Sequence, residues 1–180
     1  MTAAIKIKDV IEFPSSFWMI CLICVTFYIA IFPFVALGTV FFVRKFGLSP
    51  SEANTLDGMI YLISTIGSPI VGLLVDYFGY NLSWLASAIV VTIGAHMLLA
   101  FTTLNPWVAV VILGLAYTTV ACSLWPLVPL IIPSHQHGTA YGLVQALQNL
   151  GLGAVTLLAG YIVDSKGYLF LEIFFIDCLF

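Results

Sequence analysis

Between short polar junctions, almost all of this chain consists of apolar runs near or above the roughly 20 residues that a helix needs to cross a bilayer. Lipid offers no water to bind backbone amides, so each run must close its own hydrogen bonds as a helix. Five runs are complete in this sense, at about 17–43, 50–75, 82–101, 106–132 and 138–163. A sixth starts at Tyr168, is still apolar at Phe180, and covers about half a bilayer, which predicts a truncated last helix. The expected fold class is an all-α membrane protein of about six transmembrane helices, preceded by an amino-terminal juxtamembrane segment over residues 1–16.

Composition excludes the soluble alternatives. Hydrophobic residues make up 62% of the chain and charged residues 7%, against about 45–50% and about 25% in ordinary soluble domains. Eight acids and five bases are scattered near the run ends; without a basic patch, a nucleic-acid partner is not expected. The charged start, with Lys6, Lys8, Asp9 and Glu12, carries no cleavable small-residue site, so the first apolar run reads as a retained span. Cys21, Cys24, Cys122 and Cys178 lie inside apolar runs and read as small buried side chains. His135 and His137 stand one residue apart with no Cys, Asp or Glu beside them, and read as a solvated loop. Neither metal nor cofactor is called for.

A repeat organises the junctions. Gly72–Asn81 reads GLLVDYFGYN, and its pattern G-x-x-V-D-x-x-G-Y, carried by Gly72, Val75, Asp76, Gly79 and Tyr80, returns 88 positions on at Gly160, Val163, Asp164, Gly167 and Tyr168. Each copy puts a carboxylate where an apolar run ends, between two glycines of the kind used where backbones turn or approach closely. Gly72, Asp76, Gly79, Gly160, Asp164 and Gly167 are therefore structural or gating candidates, the aspartates as helix-end caps. The recurrence implies two three-span units facing opposite ways, and internal repetition with broken helices is typical of secondary transporters.

Polar residues inside the runs fall on faces. Ser49-Pro50-Ser51-Glu52 forms a capping box that starts the second span, whose Asp57, Tyr61, Ser64, Ser68 and Gly72 share one side. In the fifth span Gly138, Gly142, Gln145, Asn149, Gly153, Thr156 and Gly160 share another, with Tyr141 and Gln148 beside it. Small residues on such a face admit a neighbouring helix, while amides in mid-membrane need protein or water. Pro33 permits a kink in the first span, and Pro126, Pro129 and Pro133 break the fourth just after Trp125. The substrate-cavity candidates are Tyr28, Trp125, Gln145, Gln148 and Asn149. Tyr28 either bonds a neighbouring helix or reaches the cavity, and Trp125 either packs in the core or forms a flat wall for an organic ligand. Pro33, Pro126 and Pro129 join the gating set. The plain third span, whose one titratable group His96 reads as hydrogen-bonded structure, is expected at the periphery, with the other four complete spans bordering a shared interior.

The first junction resembles the loop signature G-x-L-x-D-R-x-G-R-R/K of the major facilitator superfamily, carried here by Gly72, Leu74, Asp76 and Gly79, with Tyr77, Tyr80 and Asn81 at the basic positions. A wider set is similar to the carboxyl-terminal half of the lysosomal dipeptide carriers of that superfamily: Phe17-Trp18-Met19, Asn105-Pro106-Trp107, Leu124-Trp125-Pro126, Gly138–Gly142, Gln148–Gly151 and Asp164–Glu172. The resemblance implies that residues 17–180 are a partial carboxyl-terminal half-bundle of a twelve-span carrier, whose missing amino-terminal half completes the site. It further implies dipeptide substrates, uniport across the lysosomal membrane by rocking of two halves, a glycosylated lysosomal accessory membrane protein as partner, and an isolated fragment without activity. Tyr28, Gln145, Gln148 and Asn149 would then hydrogen-bond the peptide or hold the wall, and Trp125 would pack on its side chain. The implied orientation puts the amino terminus, Asp76–Asn81 and Ser134–His137 in the cytosol, which hides the sequon Asn81-Leu82-Ser83; counting Lys6 and Lys8 against Arg44, Lys45 and Lys166 prefers the reverse. The competing reading is a nontransporting scaffold or assembly subunit. An enzyme is not expected, because the distant acids and His96 form no catalytic constellation.

Overall fold

The computed structural model describes residue 10 and residues 12–180. Most of the expected juxtamembrane segment, including Lys6 and Lys8, lies outside the described residues. From Ser15 onward the chain is helical: α1 Ser15–Phe46, α2 Pro50–Phe78, α3 Asn81–Phe101, α4 Pro106–Leu124, α5 Leu127–Ile131, a 3-10 turn Ser134–Gln136, α6 His137–Lys166 and α7 Tyr168–Leu179. With α4 and α5 taken as one segment, Pro106–Ile131, five segments among the described residues are long and apolar enough to cross a membrane. The 12 residues of α7 rise about 18 Å, short of a hydrocarbon core. Helices run a few residues past the apolar runs because their ends carry caps.

Those caps are local chemistry. Ser49 Oγ accepts the Glu52 amide at 3.3 Å and Glu52 Oε2 accepts the Ser49 amide at 2.9 Å, the reciprocal box read from sequence. Asn105 accepts the Trp107 amide at 3.1 Å ahead of α4. Lys45, in the last turn of α1, donates to the carbonyls of Leu99 and, at 2.8 Å, Ala100. A cation thus closes the carboxyl end of α3, where the helix dipole is negative.

The two junctions of the repeat use one device. Gly79 (φ 68°, ψ −147°) and Gly167 (φ 85°, ψ 179°) both occupy a region open essentially to glycine alone. Their amides cap the preceding helices, Gly79 to the Val75 carbonyl at 2.8 Å and Gly167 to that of Val163 at 3.0 Å. The other half of the expectation is corrected. Asp76 and Asp164 are exposed in the last turns of α2 and α6, and α3 and α7 start without a side-chain cap. A carboxylate one turn before the junction points back along its own helix and does not reach the next amides. Nor do Gly72 and Gly160 admit a neighbour: a Cβ at either meets nothing within 4 Å among the described residues.

Packing follows the repeat. The first helix of each three-span unit packs on the second and third helices of the other, α1 on α6 and α7, and α4 on α2 and α3, while α3 and α7 pair with each other. Small residues make the close approaches at positions the polar faces did not mark. A Cβ at Gly114 of α4 would stand 3.1 Å from Ile63 of α2, and one at Gly151 of α6 would stand 2.7 Å from Val25 of α1. Buried Phe17, Phe27, Phe34, Phe41, Phe42 and Phe175 fill the centre. Within this bundle α3 is more buried than α2 or α6, which leaves those two with the more open faces. His96 of α3 is fully buried and lies 2.8 Å, Nδ1 to Oε2, from the equally buried Glu172 of α7.

Candidate functional site

Five aromatic rings from three helices gather where α4 breaks. Tyr28 and Phe32, one turn apart on α1, stack at 5.3 Å with their planes at 15°. Tyr117 of α4 meets both edge-on, at 6.2 and 6.3 Å. Trp125 stands in the gap between α4 and α5, 6.3 Å from Tyr28 and 6.1 Å from Tyr141 of α6. Tyr61 of α2 extends the line through Tyr117 at 6.2 Å. Edge-to-face and offset contacts of this kind hold rings rigidly at little entropic cost.

Hydrogen bonds fix the centre of this wall. Trp125 donates from Nε1 to the Tyr28 hydroxyl at 3.0 Å, and the Tyr141 hydroxyl donates to the Trp125 carbonyl at 3.2 Å. Of the two readings open for Tyr28, the structure takes the first: its ring is buried at 4% exposure and its hydroxyl is occupied by a neighbouring helix segment. Trp125 is half-buried and keeps part of its ring free.

The amides of α6 divide. Gln145 and Asn149 are exposed, on the same side as Gly138, Gly142 and Gly153. Gln148 is buried at 4% and accepts a weak bond from Cys24 Sγ at 3.6 Å. It does not join the other two, because consecutive helix residues stand about 100° apart and that rotation turns it onto α1. Gln148 is thus corrected from a cavity position to an α1–α6 contact. The open faces of α2 and α6 and the half-buried Trp125 are thus the polar and aromatic surfaces that this bundle leaves uncovered.

Pro33 is buried within α1, which continues through it, and leaves the Ile29 carbonyl without its helical donor. Pro126 immediately precedes the short α5 and Pro129 lies within it, at the break expected in the fourth span. Pro69 inside α2, which the polar-face reading passed over, similarly frees the Thr65 carbonyl. Asp57 is the other residue whose setting was hidden. One carboxylate oxygen is buried with no hydrogen-bond partner among the described residues and lodges where a Cβ on Gly38 would stand. Phe32 and Tyr117 were missed outright. Their signal was present in the four-residue spacing from Tyr28 to Phe32 and the eight-residue spacing from Tyr117 to Trp125, each returning to nearly the same side of a helix. His137 donates to the Ile132 carbonyl at 2.8 Å and so stiffens the turn into α6.

Known proteins are similar in sequence to this chain over nearly its whole length. The chain is 51% identical over 175 residues to proteins of Danio rerio and of Homo sapiens, each named lysosomal dipeptide transporter MFSD1. It is 49% identical over 175 residues to the protein of that name in Gallus gallus. The alignments take in 97% of this chain and 38% of the first two relatives, 40% of the third, so the chain spans well under half their length. Residues 8–180 match the Major Facilitator Superfamily. Repeated units exchanging their first helices, glycine-only junctions and this match over nearly all residues lead to one assignment: the chain belongs to the Major Facilitator Superfamily.

Proposed function

We propose that this chain is the carboxyl-terminal part of a twelve-span carrier that moves dipeptides across the lysosomal membrane. The observation that carries the reading is the exposed amide face of α6, Gln145 and Asn149, beside the half-buried Trp125 in an otherwise apolar bundle. Amides left toward lipid are costly, so this face belongs against water, peptide or the other half of the carrier. A dipeptide presents amide groups for such residues and side chains for an aromatic wall. Transport is by uniport, with two halves rocking about the central site and the proline-broken spans yielding. The amino-terminal half supplies the opposite wall, so the isolated chain does not transport, and a glycosylated lysosomal membrane protein accompanies the assembled carrier.

Trp125→Ala tests the reading in the full-length carrier reconstituted into proteoliposomes. Dipeptide uptake should fall about tenfold, the equivalent of about 1.4 kcal/mol of lost substrate contact. Undiminished uptake across a panel of dipeptides would remove Trp125 from the site. No dipeptide uptake by the unaltered full-length protein would favour the nontransporting scaffold.

A further inference from the structure

We propose that Tyr141 is the positioning residue of the α4–α5 break: its hydroxyl replaces a proton that Pro129 lacks, grips the Trp125 carbonyl, and so sets how the Trp125 ring meets the cavity. The inference rests on the transporter reading above and adds to it a residue outside the candidate amide set.

In a continuous helix the Trp125 carbonyl accepts from the amide four residues on. That residue is Pro129, which has no amide proton. The Val128 amide reaches the same oxygen only at 3.4 Å, beyond the usual range for an N–H···O bond. At membrane depth the freed carbonyl needs a replacement donor, and here one from protein stands within reach. Tyr141 of α6 adds a second donor at 3.2 Å, itself long for an O–H···O bond, so that two long contacts share the carbonyl; its ring lies 6.1 Å from that of Trp125, inclined at 35°.

Trp125 is consequently held from two sides by two hydroxyls of opposite role. Its ring donates to Tyr28 on α1, and its backbone accepts from Tyr141 on α6. Since α1 and α6 pack on each other, the pair acts as a jaw closed on the break. Without a helical bond at Pro129 the angle between α4 and α5 is free to change, and the Tyr141 link is the contact that selects one angle. Displacing α6 relative to α4 must either break that link or carry the Trp125 ring with it.

A double-mutant cycle in the full-length carrier separates positioning from simple satisfaction of a carbonyl. Tyr141→Phe removes the hydroxyl; Pro129→Ala restores the amide donor within the helix, and keeps the carbonyl paired should Tyr141→Phe alone fail to fold. We expect Tyr141→Phe to raise the apparent KM for dipeptide uptake about fivefold, the factor one net hydrogen bond is worth. The same ratio should separate Pro129→Ala from Pro129→Ala/Tyr141→Phe. An unchanged KM in Tyr141→Phe overturns the proposal. So does a ratio near one in the Pro129→Ala background, since the hydroxyl would then matter only as a stand-in donor. Loss of both folding and uptake in Tyr141→Phe, restored in full by Pro129→Ala, overturns it on the same ground. Absence of dipeptide uptake in the parent would instead sink the transporter reading, and this inference with it.

Discussion

At the scale of residues, the two glycines in each junction have different duties. Gly79 and Gly167 sit at positive φ with an extended ψ, where any Cβ collides with its own backbone. Gly72 and Gly160 are ordinary helical residues with open space at the Cβ position in this bundle. Gly79→Ala and Gly167→Ala should therefore each cost about 1–3 kcal/mol, the usual penalty of a strained backbone region. Gly160→Ala removes a flexible residue from a helix, a change that favours the helix by up to about 1 kcal/mol. Thermal unfolding of the detergent-solubilised carrier should rank Gly167→Ala well below Gly160→Ala. The reverse order would mean that Gly160 packs against the other half and that the Gly167 turn relaxes. The sequence pattern could flag all four glycines but could not sort them, because the sorting depends on φ and on neighbours from other helices.

Between elements, the α3–α7 contact rests on a buried pair that neither helix announces. His96 and Glu172 are 76 residues apart, and Nε2 of one and Oε1 of the other are buried without a partner among the described residues. Removing one member strands the other in apolar surroundings, which costs about 3–5 kcal/mol, whereas replacing both by apolar side chains is often neutral or better. Glu172→Leu should thus lower the melting temperature of the carrier sharply, and His96→Leu/Glu172→Leu should recover most of the loss. A double variant no more stable than Glu172→Leu would show that the pair does more than join two helices. Helix starts were legible because a capping box and Asn-Pro are contiguous in sequence, as was the break after Trp125 because proline acts on its own backbone. The His96–Glu172 pair, the Lys45 cap on α3 and the Tyr28–Trp125 bond were not, since each joins a side chain to a group more than 50 residues away. Lys45 also weakens the count of bases as a guide to orientation, because this cation is committed to helix-end carbonyls.

For the whole molecule, the least buried helices are α2 and α6, and their exposed surfaces are not alike. Around α6, Gln145 and Asn149 share one side with several glycines, while Leu150, 72% exposed, is turned about 100° away. A surface that is uniform toward lipid has no reason to separate amides from leucines in this way; a surface that meets water on one side and acyl chains on the other does. Thiol accessibility in the full-length carrier turns this into a measurement. With every native cysteine replaced, Gln145→Cys and Asn149→Cys should react with a membrane-impermeant, charged thiol reagent, because water reaches them and allows the thiolate to form. Leu150→Cys should stay about tenfold slower or more, as its thiol sits in hydrocarbon, where the charged form is penalised by well over 1.4 kcal/mol. Saturating dipeptide should slow the first two and leave the third unchanged. Equal reactivity at all three positions would place the amide face in lipid, and with it would go the passage between two halves that the proposed dipeptide transport requires.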